Sequence, residues 1–298
     1  MLAPNKESKI MKAHEYILSK QVQWALNQNL TLIGSKGDRG RPTYSKQLED
    51  NLFEPLLPKT RQEFESGDGG EIFGSSNSPA KMNAVHSSSA LSVNIFQYWQ
   101  KINQVPSIAS ACGLCNKKNK YPESISFEQK YPINESFQFH PNIDVIIKNR
   151  KGSKYKLYAI ECKFSEAYST QGHSGLKQKY IALNDIWQDI PNLYELAKSI
   201  SPVDNLYNHL HPAQLIKHIL GLKKKYGKTG FRLLYLWYDT SGYEGFNHRK
   251  EIERFQKLSE TDNICFRAIS YQELIMRLSS EYRDNHKDYI EYLTSRYL

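Results

Sequence analysis

A chain of 298 residues with 40 lysines and arginines against 31 acids carries a formal charge of +9, which favours a polyanionic partner. The length allows one large domain or two modest ones without disulfide staples, and four cysteines fit a reducing, cytoplasmic setting. No apolar run of about 18 residues marks a membrane span, and the N-terminus MLAPNKESKIMKAHEYILSK lacks the pattern of a secretory signal.

Ile10, His14, Ile17, Leu18, Trp24 and Ala25 recur at helical spacing and predict a helix within 9–30. GSKGDRGRP, 34–42, reads as a loop, and SKQLEDNLFEPLL as the opening of a helix with Ser45 at its N-cap. The Gly- and Ser-rich stretch ESGDGGEIFGSSNSPAKM reads as a linker or a functional loop. It divides a helical region with a basic loop, 1–75, from a core over 76–298. Helices are predicted over 89–103 and 107–114.

From 124 the pattern alternates, and SISFEQKYPI reads as a strand with Ile125, Phe127 and Tyr131 on one side. Residues 143–149 and 155–164 read as a hairpin. DIWQDIPNLYELAKSI and HPAQLIKHILGLKKKYG read as helices, the second with Pro212 in its first turn and Gly227 at its end. The continuous apolar run FRLLYLWYD predicts a strand buried in the middle of a sheet. NICFRAIS adds another strand, and helices fill 247–259 and 271–296. This order predicts an α/β or α+β chain, with a central mixed sheet flanked by helices and helical additions at both ends.

In HPNIDVIIKNRKGSKYKLYAIECKFSE, 140–166, three charged residues interrupt two apolar runs: Asp144, Glu161 and Lys163. With the turn centred between Gly152 and Ser153, Asp144 lies opposite Glu161, Ile146 opposite Ala159 and Lys148 opposite Leu157. Opposed residues share a face, and Lys163 joins it by strand alternation. Ile143, Val145, Ile147, Tyr158, Ile160 and Cys162 form the other, apolar face. Two carboxylates held together repel unless a cation neutralises them. A hard divalent ion such as Mg²⁺ suits oxygen ligands and can hold and polarise a phosphate, while a lysine beside it offsets transition-state charge. The set therefore suits phosphodiester hydrolysis; the competing arrangement is a cross-strand salt bridge on a solvated face.

Pro141-Asn142-Ile143-Asp144 followed by Glu161-Cys162-Lys163 resembles the PD-(D/E)XK nuclease superfamily, although the family's proline directly precedes its aspartate and here two residues intervene. KMNAVHSSSALSVNIFQYW, FEQKYPI, HPNIDVII, IECKF, AQLIKHILGL and LLYLWYD together resemble a poorly characterised bacterial branch of it, over about 60–240. The resemblance implies a restriction-endonuclease-like core of helix, three strands, helix and strand. It implies Asp144, Glu161 and the carbonyl of Cys162 as ligands of Mg²⁺, which Mn²⁺ can replace, and Lys163 as the catalytic lysine. Gln214 matches the glutamine that several branches place on the helix after the third strand, with His218 one turn on and Lys217 beside it. Glu128 is a further candidate acid, facing either the metal or solvent.

Three basic clusters are candidates for phosphate contact around this site: Lys36, Arg39 and Arg41; Lys148, Arg150, Lys151, Lys154 and Lys156; and Lys223, Lys224, Lys225 and Lys228. Ser87, Ser88 and Ser89 suit a helix N-cap, which also attracts phosphate. Cys112 and Cys115 form a CxxC without a second ligand pair, so core packing is the better reading. The expectation is a Mg²⁺-dependent endonuclease on double-stranded DNA, a type II-like restriction enzyme working as a homodimer. The alternatives are a repair or mobile-element nuclease that recognises structure, and a DNA-binding protein of the same fold without chemistry.

Overall fold

The computed structural model describes residues 11–36, 39–67, 70–75, 78–135, 137–169 and 172–298, with the side chain of Arg39 outside them. The stretch from Phe231 to Trp237, apolar except for Arg232, lies inside a five-stranded sheet, with a parallel neighbour on each side. Along the chain come α1 (Ala13–Asn27), a two-stranded antiparallel ribbon of β1 (Leu32–Lys36) and β2 (Arg39–Ser45), α2 (Pro58–Glu65), α3 (Ser88–Lys101) and α4 (Val105–Ala111). Then follow β3 (Pro122–Lys130), β4 (Asn142–Asn149), β5 (Leu157–Lys163), α5 (Gln178–Ile181), α6 (Pro191–Ser199), α7 (Pro212–Tyr226) and β6 (Phe231–Trp237). The chain closes with α8 (Tyr243–Thr261), β7 (Phe266–Ser270), α9 (Tyr271–Tyr282) and α10 (Lys287–Tyr297).

The sheet order is β3-β4-β5-β6-β7, antiparallel across β3, β4 and β5 and parallel from β5 to β7. Parallel neighbours need long crossovers; α5 to α7 make the first and α8 the second. Glu161 and Tyr235, in register with each other, meet His218 of α7 and His248 of α8. Arg232, of the opposite alternation, reaches the Leu114 carbonyl just beyond α4. Helices therefore cover both faces, and this is the mixed α/β sheet the sequence predicts. Ala13, Ile17, Leu52, Leu56 and Phe64 belong to the same apolar core as the strands. Among the described residues no helix is long and apolar enough to cross a membrane.

Several local expectations are corrected. The stretch 34–42 is mostly strand, because its backbone pairs across the ribbon and Val85 N–H donates to Thr43 O at 3.0 Å. Ser45 caps no helix; it ends β2 and its Oγ donates to the Asn83 carbonyl at 3.2 Å. The residues after it hold one short 3₁₀ turn, Glu49–Asn51. There the Phe53 and Leu57 amides donate to Asn94 Oδ1 at 2.7 Å and Gln97 Oε1 at 2.9 Å, so side chains of α3 replace helical partners. The helix expected over 185–200 starts only at Pro191, since the residue before a proline disfavours helical backbone and Asp189 turns the chain with φ +65°. The single helix expected over 271–296 is α9 and α10, separated by a 3₁₀ turn at Arg283–Asn285.

α7 can lie close to the end of β3 because residue 221 is glycine. A Cβ there would fall 2.4 Å from the Tyr131 carbonyl oxygen. Gly221→Ala is therefore expected to cost about 1–3 kcal/mol through forced displacement of the helix. Urea denaturation checks this, and an unchanged midpoint would show that the helix yields without strain.

Candidate active site

The β4–β5 ladder pairs Val145 with Ile160, Ile146 with Ala159, Ile147 with Tyr158 and Lys148 with Leu157. Continued by one residue, this register sets Asp144 opposite Glu161, but the ladder stops short of them. The Cys162 amide, which would serve a further rung, donates instead to Asp144 Oδ2 at 2.7 Å. The Cys162 carbonyl lies on the same strand edge as its amide and so also faces β4. On the other side of β4, the β3 register sets Phe127 opposite Val145 and Gln129 opposite Ile143, which brings Glu128 level with Asp144. Glu128 has φ +53°, a left-handed conformation uncommon for glutamate. It accepts a short hydrogen bond at Oε2 from Asn142 Nδ2.

Glu161 is fully buried, yet both its oxygens are matched. Lys163 Nζ donates to Oε1 at 2.6 Å, and His218 Nε2 lies 2.8 Å from Oε2. Burial alone would raise its pKa; Lys163 and His218 outweigh that and hold it at about 2. A carboxylate ionised at neutral pH can only accept, so Nε2 of His218 carries the donated proton. His218 Nδ1, also buried, has no hydrogen-bond partner among the described residues. Lys163, with 16% of its side chain exposed, would be shifted down by burial. Glu161, Asp144 and Glu166 more than reverse this and keep it protonated.

The other acids bear the crowding. Asp144 is raised well above the ordinary aspartate value, first by burial and then by Glu161. Glu128 is raised to about 7 by burial, then by Glu71 and Glu161. Glu71, which accepts from Ser89 Oγ at 3.0 Å, thus joins the same acidic patch. Among the described residues no three His, Cys, Asp or Glu side chains enclose a metal-sized site. The donor set is nevertheless of the hard oxygen type. Mg²⁺ commonly takes only one or two carboxylates, filling its octahedron with water and phosphate.

The remaining candidates separate by position. Gln214 is half-buried on α7, but the α7 side chain that reaches Glu161 is His218, one turn further. Lys217 also feels the patch: burial lowers its pKa while Glu161 opposes this. Ser87 caps α3 by accepting from the Ala90 amide at 3.2 Å, and Ser88 opens the helix. This end of α3 lies against the segment leaving β5, since Ser165 Oγ donates to the His86 carbonyl at 3.4 Å. The ribbon is rooted there too: Tyr44 bridges Ala84, and its ring meets that of His86 at 6.5 Å. Exposed Lys36 and Arg41 therefore rise from the site's end of the sheet; the Arg39 side chain lies outside the described residues.

The other two basic clusters do not gather round the site. Lys151 and Lys154 lie in the β4–β5 turn, whereas Asp144 and Glu161 lie at the hairpin's open end. Seven residues separate Lys154 from Glu161 and Asp144 from Lys151, which at strand rise is about 23 Å. Lys223 and Lys228 pair with Asp189 at 3.0 and 4.0 Å, just before β6 begins beside Leu157, again at the closed end. The cause is topological: a hairpin turn and its open ends cannot share a site. Cys112 is buried and Cys115 half-buried, both as free thiols packed on the core.

His218, Glu71 and Asn142 are not among the site residues that the sequence predicts. His218 carried a usable signal, a histidine on the apolar face of α7 one turn from Gln214. Glu71 carried none, because only the folded loop brings it to Glu128.

A family model described as "Restriction Endonuclease associating with ARP" matches residues 18–298. No curated protein matches the chain, and no solved structure does.

Proposed function

The chain belongs to this restriction-endonuclease family, and from that premise we propose that it is a Mg²⁺-dependent endonuclease of the PD-(D/E)XK type acting on double-stranded DNA. The observation that carries the reading is the meeting of Asp144, Glu161 and Lys163 at one end of the sheet, with Glu128 level with them. Such a set is costly to a protein that does not use it. Burial and mutual repulsion force Asp144 and Glu128 towards protonation, a condition that a divalent cation relieves.

Asp144, Glu161 and the Cys162 carbonyl are the proposed ligands, with Glu128 adjoining. When bound, the ion supplies positive charge at a phosphate oxygen and lowers the pKa of a coordinated water. The chain's own groups do the rest. Lys163 orients the attacking water and offsets charge building on the phosphate oxygens. His218 fixes the Glu161 carboxylate through Oε2 and leaves Oε1 to Lys163, so that Glu161 would be held in place as a ligand. The water oxygen bonds to phosphorus as the bond from phosphorus to the departing sugar oxygen breaks; the attacking water gives up one proton to solvent and the leaving oxygen takes one from solvent. The α3 N-terminus at Ser87 and Ser88, with Lys36, Arg39 and Arg41 on the ribbon, offers donors and charge for the flanking phosphates.

Plasmid incubated with the purified protein and Mg²⁺ is expected to be cut, with Mn²⁺ substituting, and excess EDTA is expected to stop the reaction. Discrete fragments identify a type II-like restriction enzyme; a preference for branched or nicked DNA identifies a structure-recognising nuclease. Binding without cutting under any divalent ion ends the enzymatic reading. Sedimentation with and without DNA tests the proposed homodimer, in which each subunit cuts one strand.

A further inference from the structure

The turn end of the hairpin, remote from the acids, carries a separate feature. Two adjoining concavities of about 520 and 300 Å³ share Asn116, Asn119 and Tyr121 as walls. Both fall within the usual size of small-molecule sites. Their cations are Lys118, Lys120 and Arg150 in the larger and Lys154 and Arg232 in the smaller, and no Asp or Glu among the described residues lines either. Arg150 lies 3.5 Å from Glu123. Lys118, Lys120, Lys154 and Arg232 form no ion pair with the described residues. Two such cations in each of two adjoining concavities, with no acid of the described residues in either lining, suit an anion.

The hollow is also built. Arg232 donates to the Leu114 carbonyl, and its guanidinium lies 4.3 Å over the Tyr155 ring. Asn149 Nδ2 ties the Tyr155 carbonyl at 2.9 Å, and Arg150 N–H donates to Tyr121 O at 2.9 Å. Tyr121 keeps 44% of its surface exposed. Its ring lies over Gly152, where an added Cβ would fall 4.0 Å away. Its open ring stands beside the cations as a platform for a flat group. Tyr158, the lining residue nearest the acids, has the opposite strand alternation from Glu161 and so opens on the other face of the sheet. A ligand here would not be the phosphate that the acids address.

We propose that this hollow binds a nucleotide with an unpaired base, the phosphate held by Lys118, Lys120, Lys154 and Arg232 and the base stacked on Tyr121. The source is either a free nucleotide or the terminus of a strand. The proposal stands whether or not the acidic site cuts DNA.

Titrating the full chain in EDTA with AMP, and separately with a 5′-phosphorylated single-stranded decanucleotide, tests it. Saturable AMP binding identifies a free nucleotide; binding of the decanucleotide alone identifies a strand end. In either case Lys154→Glu, at an exposed position, is expected to weaken binding by about tenfold or more. Tyr121→Ala is expected to weaken it by roughly fivefold or more, as stacking on an aromatic ring requires. Both variants should melt as the wild type does. Failure of both probes to bind overturns the proposal, as does binding that ignores both substitutions. Inorganic phosphate competing as tightly as AMP would also overturn it, since the base would then contribute nothing.

Discussion

Lys163→Ala is expected to lower plasmid cleavage by at least about 10²–10³-fold, the usual loss when an electrostatic partner of the transition state is removed. DNA affinity measured in EDTA should change little, because one half-buried lysine contributes little to a backbone-wide interaction. The same substitution should destabilise the protein. Glu161 is fully buried and would keep only His218 as a partner. Breaking one side of a buried pair costs about 3–5 kcal/mol. Glu161, held at about 2 in the fold, normally adds stability that is present above pH 4.5 and is lost as pH falls towards 2. Without Lys163 that contribution shrinks, and the acid-side loss, which still begins near pH 4.5, is complete at a higher pH. A double variant separates chemistry from folding. Lys163→Met with Glu161→Gln removes both charges, so thermal melting should recover most of the loss while cleavage stays absent. Cleavage by Lys163→Ala at the wild-type rate would refute the catalytic assignment outright.

The hairpin was legible because two independent signals agree on its register. Apolar residues alternate on both arms, and Gly152, with φ +94°, marks the turn. A slip of one residue would have put Ile160 and Cys162 among the charges. β6 was legible for a simpler reason: only a strand covered on both faces tolerates Leu233–Trp237 without a polar gap. What the sequence conceals is where elements meet. Lys154 and Lys36 are equivalent as exposed cations in glycine-containing turns, and only topology puts one at the hairpin's closed end and the other on a ribbon rooted near Ser165. Gln214 and His218 share a helix face, and choosing between them needs the depth at which α7 crosses β5, which the contact of Gly221 with Tyr131 sets. The segment at 46–57 misled because its amides bond to Asn94 and Gln97, partners that lie some forty residues away and leave no periodic trace.

Glu128→Gln is expected to stabilise the metal-free protein, and to do so only at neutral and alkaline pH. The carboxyl is raised to about 7 from 4.5 by burial and by Glu71 and Glu161. Between those values the folded state holds a proton that the unfolded state has released. Wild-type stability therefore falls as pH rises from 4.5 to 7, then levels. The full cost is at most about 3 kcal/mol, reduced by the solvent that screens a half-buried group. Glutamine keeps an oxygen for Asn142 but carries no charge. The variant should match the wild type near pH 5 and melt several degrees higher near pH 8 in EDTA. Mg²⁺ should reverse the order of merit, since a ligand bound only by the folded state stabilises by mass action. The wild-type melting temperature should climb with Mg²⁺ concentration, and that of Asp144→Asn should not move. In that variant the amide oxygen still accepts from the Cys162 amide, so the fold is kept while the ligand charge is lost. A Glu128→Gln gain that is equal at pH 5 and pH 8, or an undiminished Mg²⁺ response in Asp144→Asn, would separate the acidic patch from metal binding.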